Sequence, residues 1–142
     1  MGNQPSWRRS SGVFVKGMPR KRPEPAEARI RRAITLRLTL SDRVALGPGK
    51  AELMDLIRET GSIAAAGRQM GMSYQRAHDL VSALNADFRA PLVETMAGGA
   101  GGGGAKLSVL GEEVLAAYRE VERQAEAASA ERLGWLRRML SD

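Results

Sequence analysis

The sequence predicts a mainly α fold with a small β element (α+β), and three observations support this class. Two short helical segments with good capping residues follow one another between residues 62 and 87, separated by a glycine turn. Two short apolar stretches then flank a run of glycines, which is typical of a two-stranded hairpin. Residues 109–142 repeat apolar side chains at helical spacing. A chain of 142 residues is long enough for one domain, or for one domain with a tail.

The composition restricts the class of function. The chain has 22 Lys and Arg against 16 Asp and Glu, a net charge of +6, which favours an acidic partner such as nucleic acid. It has no cysteine and one histidine, His78, so we expect no metal site and no cofactor. The only acid beside His78 is its helix neighbour Asp79, and adjacent helical residues do not face each other, so we expect no enzyme. No run approaches the roughly 18 apolar residues of a membrane span, so we expect a cytoplasmic protein without a membrane partner.

Residues 1–33 are rich in Arg, Lys, Pro, Ser and Gly, which predicts a flexible basic arm. Such an arm either follows DNA phosphates or is simply solvated, and the sequence leaves both interpretations open. The alternation from Ile34 to Leu40 predicts a first strand with its leucines facing inward. A helix follows from Gly47-Pro48 to about Thr60 and ends at Gly61. Its predicted apolar face consists of Leu53, Met54, Leu56 and Ile57.

The central segment has the pattern of a helix-turn-helix. Ser62 is a good N-cap for a first helix, which we expect to end at a left-handed Gly71. Ser73 caps a second helix, and Gly67 provides the small surface that lets the two helices approach closely. A 3.6-residue period then divides the second helix into two faces. Ala77, Leu80, Val81 and Leu84 face the core, whereas Gln75, Asp79 and Ser82 lie opposite, with Arg76 and His78 on the flanks.

The exposed face of the second helix carries side chains suited to reading DNA. Gln pairs bidentately with adenine and Arg with guanine, and residues near the N-terminus of a recognition helix reach the base edges. An ordinary helical hairpin in a core is the alternative, and Asp79 favours a second alternative, a protein interaction module.

A predicted β-hairpin follows the second helix. Pro91 stops the helix, residues 92–96 form a strand, and Ala105-Lys106-Leu107 returns after the glycine run 98–104. This order of elements predicts a winged helix-turn-helix over residues 34–108. The glycines satisfy the dinucleotide pattern G-x-G-x-x-G only trivially, because no helix opens on the last glycine. The predicted DNA-contacting residues are Ser73, Tyr74, Gln75, Arg76, His78, Asp79, Ser82, Gly99, Gly101, Gly102, Gly103 and Lys106.

The C-terminal segment, residues 109–142, is predicted as a long dimerisation helix capped by Ser108. Apolar residues recur along it at alternating spacings of four and three, which is the seam of a coiled coil. Packing of this helix against its own domain is the alternative. The predicted dimer contacts are Val114, Leu115, Tyr118, Val121, Ala125 and Ala128.

These residues resemble the N-terminal DNA-binding domain of the ModE family, molybdate-responsive bacterial repressors. The resemblance covers roughly Leu36 to Ala128. Its most specific part is the glycine-rich wing joined directly to Leu107-Ser108, with Gly111 after it. Further matching segments are Gly61-Ser62-Ile63, Met72-Ser73-Tyr74 and Leu92-Val93-Glu94.

The resemblance implies a homodimeric transcriptional regulator that binds a palindromic operator in double-stranded DNA and associates with the bacterial nucleoid. The family usually has a positive residue in the wing where this chain has Ala100, so the expected phosphate contact of the wing is either weaker or moved to Lys106. It also typically has an aromatic residue at the position of His78. The family binds molybdate through separate C-terminal β-barrel domains, so we expect no molybdate binding from these 142 residues alone.

Overall fold

The structure is a computed structural model that describes residues 33–97 and 103–142. This part of the chain is mainly α with two small sheets, as predicted. Nearly all of the predicted basic arm, residues 1–32, and the wing residues 98–102 lie outside the described residues. The elements in order are β1 (Leu38–Thr39), β2 (Ala45–Leu46), α1 (Pro48–Thr60), α2 (Ile63–Gln69), α3 (Tyr74–Asp87), β3 (Val93–Thr95), β4 (Ala105–Leu107) and α4 (Val109–Arg138).

The first strand is shorter than predicted, and it forms a hairpin with a second strand that the sequence did not indicate. β1 pairs antiparallel with β2, so that Leu38 faces Leu46. The ladder stops there because Gly47 and Pro48 begin the next helix immediately after β2. The expectation that all leucines of the segment point inward is wrong for Leu40, which is 52% exposed beyond the last pair.

Helix α1 has the predicted bounds and the predicted buried face. Pro48 occupies the first turn, where its missing N–H costs nothing. Gly61 ends the helix with a left-handed φ of 68° and donates its N–H to the Ile57 carbonyl. Asp55, an acid within this apolar face, is also buried, and it pairs with Arg58 and Arg119. The pair with Arg119 ties α1 to α4.

Helices α2 and α3 form the predicted pair joined by a tight turn. The Ser62 hydroxyl accepts from the Ala65 N–H at 3.1 Å, and Gly71 has a φ of 72°, as expected for a left-handed stop. The two helices approach closely at Gly67, where an added Cβ would lie 2.9 Å from the Cβ of Ala77. The small residue at position 67 therefore sets the distance between the helices.

The second hairpin joins β3 and β4 in antiparallel register, with Val93 opposite Leu107. It confirms the two strands predicted around the glycine run. The Ala105 N–H also donates to the Gly61 carbonyl at 2.8 Å. The base of the hairpin is thus bonded to the turn between α1 and α2.

Helix α4 begins after Ser108, as predicted, and its first three turns complete the core. The Ser108 hydroxyl accepts from the Gly111 N–H at 2.9 Å. Leu115 and Tyr118 are only 2% and 1% exposed and belong to the main hydrophobic cluster. The Tyr118 hydroxyl donates to the Leu36 carbonyl at 2.6 Å.

The chain divides into two compact units. One comprises Leu36–Val121 and contains both hairpins, α1 to α3 and the start of α4. The other includes Glu122–Asp142, where Glu126 accepts from the Ala33 N–H at 2.9 Å. The structure therefore joins the first turns of α4 to the unit that we predicted to end at residue 108, because Leu115 and Tyr118 pack inside it.

Candidate nucleic-acid interface

Helix α3 presents one polar face to solvent and one apolar face to the core. Ala77, Val81 and Leu84 are buried and Leu80 is half-buried, which confirms the predicted apolar stripe. The predicted polar residues are all exposed on the helix or at its cap. They are Ser73, Tyr74, Gln75, Arg76, His78, Asp79 and Ser82.

The start of α3 is held by a side-chain cap. The Ser73 hydroxyl accepts from the Arg76 N–H at 3.2 Å, so Ser73 orients the first turn. Tyr74, 58% exposed, lies beside His78, with ring centroids 5.8 Å apart and planes tilted by 40°. This aromatic pair borders the polar face and is exposed to solvent.

Gln75 and Asp79 are coupled across one helical turn. The Gln75 side-chain amide donates to a carboxylate oxygen of Asp79 at 2.8 Å. Asp79 therefore fixes the orientation of Gln75 and leaves the other polar atoms of that amide open to solvent. Arg76, in contrast, makes no ion pair within residues 33–97 and 103–142.

The second hairpin contributes one exposed cation. The Lys106 amine lies 3.8 Å from the Glu94 carboxylate directly across the strands, and both side chains are at least half exposed. Because exposed pairs of this kind contribute about 0 to 1 kcal/mol, Lys106 can exchange Glu94 for another anion at little cost. Gly103 is exposed near β4, whereas Gly99, Gly101 and Gly102 lie outside the described residues.

Asn85 fixes the hairpin to the end of α3, a role that sequence analysis missed. Across the hairpin, the Leu92 carbonyl accepts from the Ser108 N–H and the Met96 N–H donates to the Gly104 carbonyl. This alternation leaves the N–H and carbonyl of Val93 pointing away from β4. Asn85 satisfies both: its amide donates to the Val93 carbonyl at 3.0 Å, and its oxygen accepts from the Val93 N–H at 3.0 Å and the Leu92 N–H at 2.9 Å. In the sequence, the position of Asn85 next to the apolar stripe of α3 was the signal that could have indicated a contact with the rest of the fold.

Gly111 fixes the other side of the hairpin. An added Cβ at this position would lie 2.1 Å from the Leu92 carbonyl oxygen, so only glycine allows α4 to pass this close. The same carbonyl accepts from the Ser108 N–H at 2.9 Å. The hairpin is thus held between α3 and α4. These contacts fix the position of Lys106 relative to the polar face of α3.

The predicted dimer residues occupy different environments. Leu115 and Tyr118 are buried in the core of their own chain, which removes them from a seam with a second chain. Val114 and Ala125 are half-buried, and Val121 and Ala128 are exposed. The sequence pattern did not reveal that the first turns of this helix pack within the domain, and a dimer seam through the remaining residues stays a prediction.

No helix among the described residues is both long and apolar enough to cross a membrane. In the same part of the chain, no group of three or more His, Asp or Glu side chains is arranged to hold a metal ion.

Similar proteins include molybdenum-pterin-binding proteins and transcriptional regulators. No protein-family model matches the chain. It is 44% identical over 77 residues to the molybdenum-pterin-binding protein MopB of Rhodobacter capsulatus, which covers 54% of this chain and 28% of MopB. It is 38% identical over 85 residues to the transcriptional regulator ModE of Yersinia pestis, covering 60% of this chain and 32% of that protein.

A third relative carries a more explicit name. The chain is 34% identical over 85 residues to the DNA-binding transcriptional dual regulator ModE of Escherichia coli strain K12, covering 60% of this chain and 32% of the regulator. The chain spans about a third of the length of the curated relatives that it matches.

Proposed function

We propose that this chain is a DNA-binding transcriptional regulator of the winged helix-turn-helix class. In this proposal α2 and α3 form the helix-turn-helix, α3 is the recognition helix, and β3 and β4 form the wing. More narrowly, we assign it to the ModE family, on the strength of its similarity to regulators of that name.

The observation that carries the proposal is the exposed polar face of α3. Gln75 and Arg76 stand in its first turn, where recognition helices present side chains to base edges in the major groove. Both residue types make bidentate contacts with bases. Lys106 lies on the adjacent hairpin, and its exposed amine contacts a backbone phosphate in this proposal.

We further propose that the regulator acts as a symmetric homodimer through the outer part of α4. The exposed apolar residues of this helix support the proposal, because such residues favour burial against a partner. They are Val121, Trp135 and Leu136, and Met139 and Leu140 are also exposed just after the helix ends at Arg138. A two-fold dimer presents two identical recognition helices, so its operator is a palindrome with half-sites about 34 to 36 Å apart, or a multiple of this distance.

Selection of bound duplexes from a random DNA pool tests the proposal. We expect a recovered inverted repeat with half-sites one or two helical turns apart. A pool without any enriched sequence, together with affinity that does not discriminate between duplexes, would contradict it. That result would favour the second candidate, a protein interaction module, for which the acidic Asp79 on the exposed face of α3 is the supporting observation.

The proposal includes the expectation that these 142 residues do not bind molybdate tightly. Titration calorimetry with molybdate tests it, and stoichiometric binding at micromolar affinity or better would contradict it.

A further inference from the structure

An open groove of about 420 Å³ lies beside the start of α3. The first hairpin, the beginning of α1 and the turn between α2 and α3 form its walls. Met70 and Met72 supply apolar lining from the turn, and four cations border the same space. These cations are Arg37, Arg43, Lys50 and Arg76.

Three of the four cations lack an acidic partner within the described part of the chain. The Lys50 amine donates to the Ala45 carbonyl at 3.0 Å and lies 3.6 Å from the Asp87 carboxylate. Its charge is therefore paired within the fold. Arg37, Arg43 and Arg76 make no ion pair with any residue that the structure describes. Among residues 33–97 and 103–142, no Asp or Glu lines the groove.

Three guanidinium groups around one groove repel one another and attract an anion. Arginine is the side chain best matched to phosphate, because its planar donors bind two phosphate oxygens at once. The groove is open rather than enclosed, which suits a stretch of polyanion better than a small ligand that needs burial. Arg76 belongs both to the groove and to the first turn of α3, so the groove is continuous with the proposed recognition surface.

We propose that this groove binds the sugar-phosphate backbone of DNA, with Arg37 and Arg43 as phosphate contacts flanking the recognition helix. Lys50 positions the hairpin that carries them, through its bond to the Ala45 carbonyl. The inference rests on the proposed function. It adds a second backbone contact, from residues that precede the helix-turn-helix in the chain, whereas the wing follows it.

The test measures DNA affinity against salt concentration for the double variant Arg37→Ala/Arg43→Ala. Each lost phosphate contact lowers the slope of log affinity against log salt by about 0.9, so we expect a decrease of about 1 to 2 units. The affinity should fall by the same factor on the selected duplex and on an unrelated duplex. The control, Arg132→Ala/Arg138→Ala, removes the same charge from exposed positions outside the groove and should keep the wild-type slope.

Each outcome separates the two proposals. A wild-type slope in the groove variant, with wild-type protein that binds DNA, overturns the groove assignment and leaves the proposed function intact. Wild-type protein that binds no duplex overturns both. The charge-retaining variant Arg37→Lys/Arg43→Lys should restore most of the slope, whereas a slope as low as that of the alanine variant would contradict a phosphate contact. Micromolar binding of inorganic phosphate that depends on Arg37 and Arg43 and leaves DNA affinity unchanged would assign the groove to a small anion instead.

Discussion

Replacement of Gly111 by alanine should destabilise the domain strongly, although alanine favours helices. An alanine Cβ would lie 2.1 Å from the Leu92 carbonyl oxygen and 3.0 Å from its carbon. Carbon and oxygen atoms approach one another to roughly 3.3 Å without repulsion, so α4 must recede from the hairpin by about 1 Å. Overpacking of this kind costs about 1 to 3 kcal/mol, and a backbone obstacle that cannot rotate away puts the cost at the upper end.

Helix propensity offsets part of this cost. Gly→Ala in a helix interior gains up to about 1 kcal/mol, which leaves an expected net loss near 2 kcal/mol. Urea denaturation followed by circular dichroism measures the free energy of unfolding. Gly134→Ala, in the same helix, is the matched control: apart from the helix's own backbone, its added Cβ would meet an Arg138 nitrogen at 3.6 Å and no other atom of the described residues within 4 Å. It should not lose stability. Wild-type stability in Gly111→Ala would refute the described packing of α4 against the hairpin.

Three further substitutions test the remaining contacts. Asn85→Ala removes three hydrogen bonds to the start of the hairpin and should cost about 3 kcal/mol in urea denaturation; an unchanged midpoint would contradict the role of the side chain. Tyr118→Phe keeps the buried ring but loses its 2.6 Å hydrogen bond, so a loss of about 1 kcal/mol is expected, and none would show that the bond contributes nothing. Val121→Asp should split the proposed dimer in light scattering, whereas Val109→Asp, at an exposed helix start, should not; a dimeric Val121→Asp protein would argue against this seam.

Local signals in the sequence predicted the helix boundaries well. Ser62 and Ser73 cap helices through their hydroxyl groups, and Gly61 and Gly71 have the left-handed backbone expected of helix stops. These features depend only on a few neighbouring residues. The exposed face of α3 could be predicted for the same reason, since a 3.6-residue period places its residues without knowledge of the rest of the fold.

Contacts between distant segments could not be predicted in this way. β2 has only two residues, too few to show a period. The sequence therefore did not reveal the first hairpin, nor the groove beside the start of α3 that Arg43 borders. The period of α4 identified an apolar face but not its partner, and Leu115 and Tyr118 proved to pack within their own domain. Asn85 was missed because its three partners belong to a loop and strand that follow the helix.

The affinity of Arg76→Ala for a set of duplexes, each with one base pair of the selected site replaced, tests most directly whether α3 reads DNA. We expect a loss of about 1 to 3 kcal/mol on the selected site and the disappearance of preference at one base position. Lys106→Ala is the comparison: it should weaken binding to every duplex alike and lower the salt slope by about 1. If Arg76→Ala retains both the affinity of the wild-type protein and its preference at every base position, α3 is not the recognition helix.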